Sequence, residues 1–535
     1  LIDVAGGQGG RVLVQARRRA DNLDLAVDRL ATRVTGARSA AIEGTRSYES
    51  ASVDAVRQLV IDEALAFASS RDAIAARLGG AAGWTVAAGV EIAADGDLAL
   101  DTDWNLYEDF AAARGGSLTL RAGGNLVIGG HLSDGFDRAG RDGALQDTDA
   151  WNLNLVAGAD LSAADSLALR PQALIASDSG SVIVGTADTD PGDGDNGAGK
   201  LVRTGTGDLT VRAGRDVRLA HRQSVIYTAG RRDMATWDDF TTARADAVYG
   251  IEGGNLDIVA RGSVSAEPSG QRFVQWLNRQ GAVNAGHYFG DYLGGEYGDL
   301  PDGGYGPIRR PAEQSSWWID YGMFEQGVGA LGGGNVSVDA GGDLANLVVA
   351  LPTNMRMRGG RTATEEKVME MRNGGSFAVE AGGAILGGQY YVARGEGRIR
   401  AGETGTGNTV TVTIGDWGGD RSYEFALAPV LAVGDATLSV RTQGDMAVQS
   451  VIDPLMVRYG SDDLPPIVRG AYMSGYTDRT ALQLVSVGGS IALVNQADFA
   501  FRDVRLESYT TDQDNLIGLG GNLYPAHLKA IAMNG

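Results

Sequence analysis

Residues 115–130, GGSLTLRAGGNLVIGG, decide how this chain is to be read. Leu118, Leu120 and Ala122 alternate with Ser117, Thr119 and Arg121, so a strand here turns its apolar residues to one side and its polar residues to the other. Beyond Gly123 and Gly124 the alternation resumes at Leu126 and Ile128. The apolar offsets across the double glycine are 0, +2, +4, +8 and +10.

That spacing recurs. It fits Trp84, Val86, Ala88, Ile92 and Ala94; Leu153, Leu155, Ala157, Leu161 and Ala163; Leu209, Val211, Ala213, Val217 and Leu219; and Leu256, Ile258, Ala260, Val264 and Ala266. Val336, Val338, Ala340 and Leu344 follow it, as do Phe377, Val379, Ala381 and Ile385, then Leu438, Val440, Thr442, Met446 and Val448. A weaker copy puts Gln483 in the first slot, before Val485, Val487, Ile491 and Leu493. Self-similarity of this kind marks stacked repeats, in which no unit can bury its apolar face alone.

A two-residue hairpin at the glycines would place Val211 on the same face as Arg218, against the template. A three-residue hairpin loop keeps the parity and stays open as an alternative. A bend at which both strands keep the same side inward also keeps it, and stacked bends of that kind make a parallel β-helix with glycine at the corners. The expected fold class is therefore all-β, a β-solenoid carrying insertions.

Composition points the same way. Glycine is 80 of 535 residues, about twice ordinary usage, without the strict period of collagen. A net charge of −21 with no basic stripe argues against nucleic acid as a partner. Cysteine is absent, which excludes disulfide scaffolds and thiolate metal sites and fits export through an oxidising space. No apolar run is long enough to span a membrane. The chain has no initiator Met and no signal peptide, so it reads as a piece of something longer.

The stretches GVEIAADGDLALDTDWNL (89–106), GGSLTLRAGGNLVIGGHLSDGF (115–136) and WWIDYGMFEQGVGALGGGNVSVDAGGDLANLVVALPTN (317–354) resemble the C-terminal region of filamentous haemagglutinin family exoproteins. The likeness runs from about residue 84 to about residue 500 and rests on DWNL, LSDGF, FEQGVGALGGGNV and LPTN in that order. It implies a right-handed parallel β-helix in a very large protein, exported by two-partner secretion through an outer-membrane transporter and acting in adhesion, aggregation or biofilm formation. The secretion domain that defines that route is not among these residues.

Three insertions interrupt the repeats. In residues 50–80, Val53, Val56, Val60 and Phe67 follow helical spacing, Ser70 suits a second N-cap and Gly79 a helix end, so a helical hairpin is expected to cap or brace the repeats. Residues 185–200, GTADTDPGDGDNGAGK, set Asp188, Asp190, Asp193 and Asp195 among glycines, a pattern that could gather oxygen ligands round Ca²⁺. It lacks the spaced Glu of an EF-hand and is not the nonapeptide repeat of β-rolls, and a solvated acidic loop is the alternative. Residues 272–324 hold 11 of the chain's 36 aromatic residues. Exposed, Trp276, Tyr288, Tyr292, Tyr297 and Tyr305 would suit a sugar surface beside Asp291, Glu296, Asp299 and Asp302. Buried, the aromatics would form the insertion's own core, which is the role favoured for Trp317, Trp318 and Tyr321.

The expected organisation is initial coils in 1–46, the helical hairpin in 47–83, coils with the acidic loop in 84–266, the aromatic-rich insertion in 267–330, and coils from 331 to 535. No nucleophile elbow, phosphate loop or dinucleotide fingerprint appears, and His131, His221, His287 and His527 have no zinc spacing, so no catalytic residue or cofactor is assigned beyond a possible Ca²⁺. The expected function is a structural and adhesive segment, secreted or at the bacterial surface, that meets surface glycans or proteins of host or neighbouring cells. A carbohydrate-active β-helix enzyme, a polysaccharide lyase or hydrolase, is the alternative.

Overall fold

The computed structural model describes residues 2–3, 11–29, 34–37, 39–78, 84–187, 197–234, 247–269, 271, 273–280, 297–299, 305–307, 316–358, 368–414, 421–456, 474–494 and 523–534. Strands dominate, and the two long sheets, of 20 and 10 strands, are parallel throughout; no sheet closes on itself. Among the described residues no helix is long and apolar enough to cross a membrane.

The long sheets resolve into three ladders. In the first, Ile92, Leu120, Leu155, Val211, Ile258, Val338, Val379, Ile399, Val440 and Leu484 lie in one unbroken column, each directly beside the next. The second carries the column Leu98, Leu126, Val182, Val217, Val264, Leu344 and Ile385, continuing through Thr404 and Met446 to Ile491. The third, which the double-glycine spacing did not reach, aligns Trp104, Leu132, Val202, Ile226, Val328, Val349, Tyr390, Leu431 and Val451. The three columns converge on one core. Full burial of such a side chain is worth about 2 kcal/mol, and it comes from neighbours one repeat away.

The ladders correct three placements. Val90, Ile92, Ala94, Leu98 and Leu100 stand opposite the 118–128 copy, while Trp84, Val86 and Ala88 face only the preceding strand, at Ala40, Ile42 and Gly44. The strand Trp84–Ala94 is long enough to satisfy the spacing in two registers. Leu161 and Ala163 do not enter the second ladder, whose place is taken by Val182 and Val184. The Asp160 side chain accepts the Ser162 N–H at 3.0 Å and turns the chain outward after Ala157. Near the end, Leu482 and Leu484 point inward in place of Gln483 and Val485, because the following bend is one residue longer. A further copy, Gly397, Ile399, Ala401 and Thr404, departs from the spacing because glycine fills its first slot and its bend is one residue shorter; at Gly397 an added Cβ would lie 2.7 Å from the Phe377 ring, which occupies that space.

Short polar side chains stitch the bends. At the entry to the second ladder Asn125 N–H donates to Asp97 Oδ1 at 2.7 Å, Ser181 N–H to Asn125 Oδ1 at 3.0 Å, Asp216 N–H to Ser181 Oγ at 3.3 Å and Ser263 N–H to Asp216 Oδ1 at 2.9 Å. Asp343 and Ala384 extend the relay. A second relay at the entry to the first ladder passes from Asn152 through Asp208, Asn255 and Asn335 to Ser376. Each side-chain oxygen satisfies a backbone N–H of the following repeat that the bend removes from the ladder.

The same corner holds a glycine column. A Cβ on Gly254 would lie 1.7 Å from the Gly207 carbonyl oxygen, one on Gly334 2.2 Å from that of Gly254, and one on Gly375 1.8 Å from that of Gly334. Successive repeats approach there backbone on backbone.

Helices α1 (Val53–Ser69) and α2 (Arg71–Arg77) pack on the inward side of the early strands and share their core. Ser70 sits at the α2 N-cap without a side-chain cap bond. Phe67 seats against Gly44, where a Cβ would meet its ring at 2.3 Å, and the Arg18 guanidinium lies 4.5 Å above that ring. The helices thus fill the interior before the second and third ladders begin.

Gly254→Val is expected to lower the melting temperature substantially, since the carbonyl below it cannot move without breaking the column. Gly96→Ala, whose Cβ would meet nothing within 4 Å, should leave it unchanged. Equal melting of the two variants would show that the corner tolerates side chains.

Candidate functional site

Residues that point outward from the third ladder should face water, yet they include Tyr227, Ala350, Tyr391, Ala432 and Ile452, all buried. Aromatic residues of the insertion cover them. Phe273, Trp276, Trp317, Tyr321 and Phe324 join them in a second core outside the first. Trp276 meets Phe324 edge-on at 5.3 Å between centroids, Phe324 meets Tyr227 at 5.5 Å, and Phe273 lies 5.1 Å from Tyr391. Edge-to-face pairs of this kind add about 1 kcal/mol to the area they bury.

A four-stranded antiparallel sheet of Leu277–Gln280, Ser316–Ile319, Thr353–Arg358 and Val368–Asn373 carries this layer. Its attachments reach distant repeats. Tyr321 O–H donates to the Ala229 carbonyl at 3.2 Å and Asn354 Nδ2 to the Gly250 carbonyl at 2.8 Å, while Trp317 Nε1 donates within the sheet to Thr353 Oγ1 at 3.1 Å. Arg279 donates to the carbonyls of Pro454 and Leu455, and the buried Arg356 pairs with Asp233. The fully buried Arg203 stacks 3.6 Å from the Phe136 ring and donates to Ser133 Oγ, Tyr227 Oη and the carbonyls of Arg138 and Gly140.

Of the aromatic residues singled out for a sugar surface, Trp276 is 2% exposed, with its ring enclosed by the second core. Tyr297 and Tyr305 lie on the paired strands Tyr297–Asp299 and Tyr305–Pro307, while Tyr288 and Tyr292 fall outside the described residues. Trp317, Trp318 and Tyr321 are all buried, as a core-building role requires. Asp188, Asp190, Asp193 and Asp195 also lie outside the described residues; the neck of their loop is closed by the Thr186 N–H donating to the Ala198 carbonyl at 3.1 Å.

Three titratable groups, the half-buried His131 and the buried Asp134 and Asp453, have identifiable work. His131 accepts the Leu201 N–H on Nδ1 at 3.1 Å, while its backbone N–H donates to Asp103 Oδ1 at 2.7 Å; burial, partly opposed by Asp103, pushes its pKa down to about 4 and keeps it a neutral acceptor. Asp134, pushed up to about 6 by burial, accepts the N–H groups of Gly135 and Trp151. Asp453 accepts the N–H groups of Leu455 at 3.1 Å and Gly475 at 2.6 Å, joining two segments beside Tyr391. Burial pushes its carboxyl up to about 7, against those bonds and the nearby Arg279. The cavity beside it holds about 10 Å³, room for one water at most and not for a substrate.

An open groove of about 400 Å³ lies on the outward face of the first ladder. Ser337 and Ala378 form its floor, with Asn255, Asp257, Asn335, Ser376, Glu396 and Arg398 round it. Sequence reasoning missed it because small outward residues are unremarkable until two neighbouring strands align them. The tyrosines in VIYT (225–228) and QYYV (389–392) were a legible sign of the second core, since alternation turns one of them outward in each third-ladder strand.

Compared with protein-family models, with curated proteins and with solved structures, the chain matches none.

An unfolded chain releases the Asp453 proton at about pH 4, whereas the folded protein holds it to about pH 7. The folded state therefore binds the extra proton between those values, and stability falls as pH rises through that window and levels off above it. Thermal melts should show Asp453→Asn with a flatter pH dependence across the window than the wild type. Parallel profiles would mean that the carboxyl ionises normally.

Proposed function

We propose that the chain is a structural and adhesive segment of a large secreted filamentous exoprotein, built as a right-handed parallel β-helix that displays insertions far from the cell. The observation that carries this reading is the unbroken parallel register of three ladders, which supports a stack of coils extending in one direction. At about 4.8 Å per coil the first ladder alone accounts for a length on the order of 60 Å.

The motifs DWNL, LSDGF, FEQGVGALGGGNV and LPTN support the filamentous haemagglutinin likeness, and with it export through an outer-membrane transporter and a place outside or on the bacterial cell. The acidic loop is a Ca²⁺ candidate in this reading, and surface glycans or proteins are the partners. Attachment follows from avidity: many weak contacts on a stiff support multiply without any one being strong.

Beads coated densely with the chain are expected to attach to host or bacterial cells at least tenfold above uncoated beads, and a tenfold lower coating density should abolish the excess. Beads that attach at no density to any cell type would contradict an adhesive role.

A further inference from the structure

The groove on the first ladder has a shape that follows from register. Asp257, Ser337, Ala378 and Arg398 occupy one outward row, each directly beside the next. The two small residues sink the middle of the row, between Asp257 and Arg398. Asn255, Asn335, Ser376 and Glu396 line the neighbouring row along the corner. The trough therefore runs along the stacking axis, across four coils.

Its rim carries polar side chains, and its charged groups are paired locally. Glu396 and Arg398 pair through two contacts, at 3.0 and 2.9 Å, and Asp257 pairs with Arg212. Asn255 and Asn335 are held by the corner relay, each amide oxygen accepting the N–H of the following coil. Asn255 Nδ2 donates to Asp208 Oδ1 and Asn335 Nδ2 to Asn255 Oδ1, both at 3.1 Å, which uses one of the two hydrogens on each amide nitrogen. The second hydrogens, the hydroxyls of Ser337 and Ser376, and the outer edges of the two ion pairs repeat at the coil spacing of about 4.8 Å.

We propose that this groove binds a linear, neutral polysaccharide laid along the stacking axis, with about one sugar residue per coil. A sugar residue in an extended glycan advances by roughly one such spacing, so hydroxyl groups meet a fresh set of donors and acceptors at each step. The volume lies in the range of small-ligand sites, about 300–1,000 Å³. Charge selects the class. The ion pairs leave no net charge in the groove, and a chain of net charge −21 repels acidic polysaccharides. The inward-facing Phe377 offers no ring for stacking, so each groove binds weakly and gains strength through repetition along a surface. The proposal rests on the adhesive reading and names its partner.

The test uses neutral hexasaccharides of the cello-, malto-, manno- and galacto- series, with an alginate hexasaccharide as the acidic arm, titrated into the chain by calorimetry and NMR. At least one neutral probe should bind, with the acidic probe at least tenfold weaker. Ser337→Leu combined with Ala378→Leu fills the floor at two outward positions; it should weaken that binding at least tenfold while leaving the melting temperature and circular dichroism unchanged. Arg398→Met, which removes the guanidinium at one end and leaves Glu396 without its ion-pair partner, should weaken it with the floor intact. The proposal falls if no neutral probe binds, if the acidic probe binds best, or if both variants bind within twofold of wild type. Failure of the adhesive reading would appear separately, as coated beads that attach to nothing.

Discussion

Everything in this fold depends on how closely one coil can lie on the next. At the corner that enters the first ladder, glycine backbones at 254, 334 and 375 rest on the carbonyl oxygens of the coil below, with no room for a Cβ. That approach lets strands of neighbouring coils pair without a bulge and holds the inward columns in register, so that Val211 meets Ile258 and Ile258 meets Val338. The relays through Asn152, Asp208, Asn255 and Asn335 act at the same bend and supply backbone N–H groups with partners where the ladder is interrupted. Each bond contributes on the order of 1 kcal/mol.

A stack held only by nearest neighbours opens one coil at a time. The lateral sheet changes that. Its residues touch the outward face of the third ladder from Tyr227 to Ile452, and Arg279 reaches the carbonyls after Asp453. The sheet thereby couples coils that share no contact of their own, and Phe273, Trp276, Trp317, Tyr321 and Phe324 go into that coupling. The opposite economy holds on the outward face of the first ladder, where small and polar side chains leave the surface open.

The inward face was legible because period-two alternation and double glycines are local signals; Leu118, Leu120, Ala122, Leu126 and Ile128 are all buried. Bend positions were less so. An alternating run such as Trp84–Ala94 does not say where it stops facing one neighbour and begins facing another, and an Asx turn at Asp160 overrode two well-spaced apolar residues. The third ladder was hidden because its strands lie at varying distances from the second, across the acidic loop in one coil and the aromatic insertion in another. The groove could not be read at all, since it exists only where Ser337 and Ala378, 41 positions apart in sequence, become neighbours across strands.

The parallel register itself is the central claim, and the absence of native cysteine makes it directly measurable. Spin labels on introduced cysteines at Thr210 paired with Arg398, Ser439 or Gln483 share one outward column and are separated by four, five and six coils. Pulsed electron resonance should give backbone separations of about 19, 24 and 29 Å, rising by one strand spacing per coil. Distances that fail to rise with coil number would contradict the stacked parallel ladders, and with them the account of every surface built upon them.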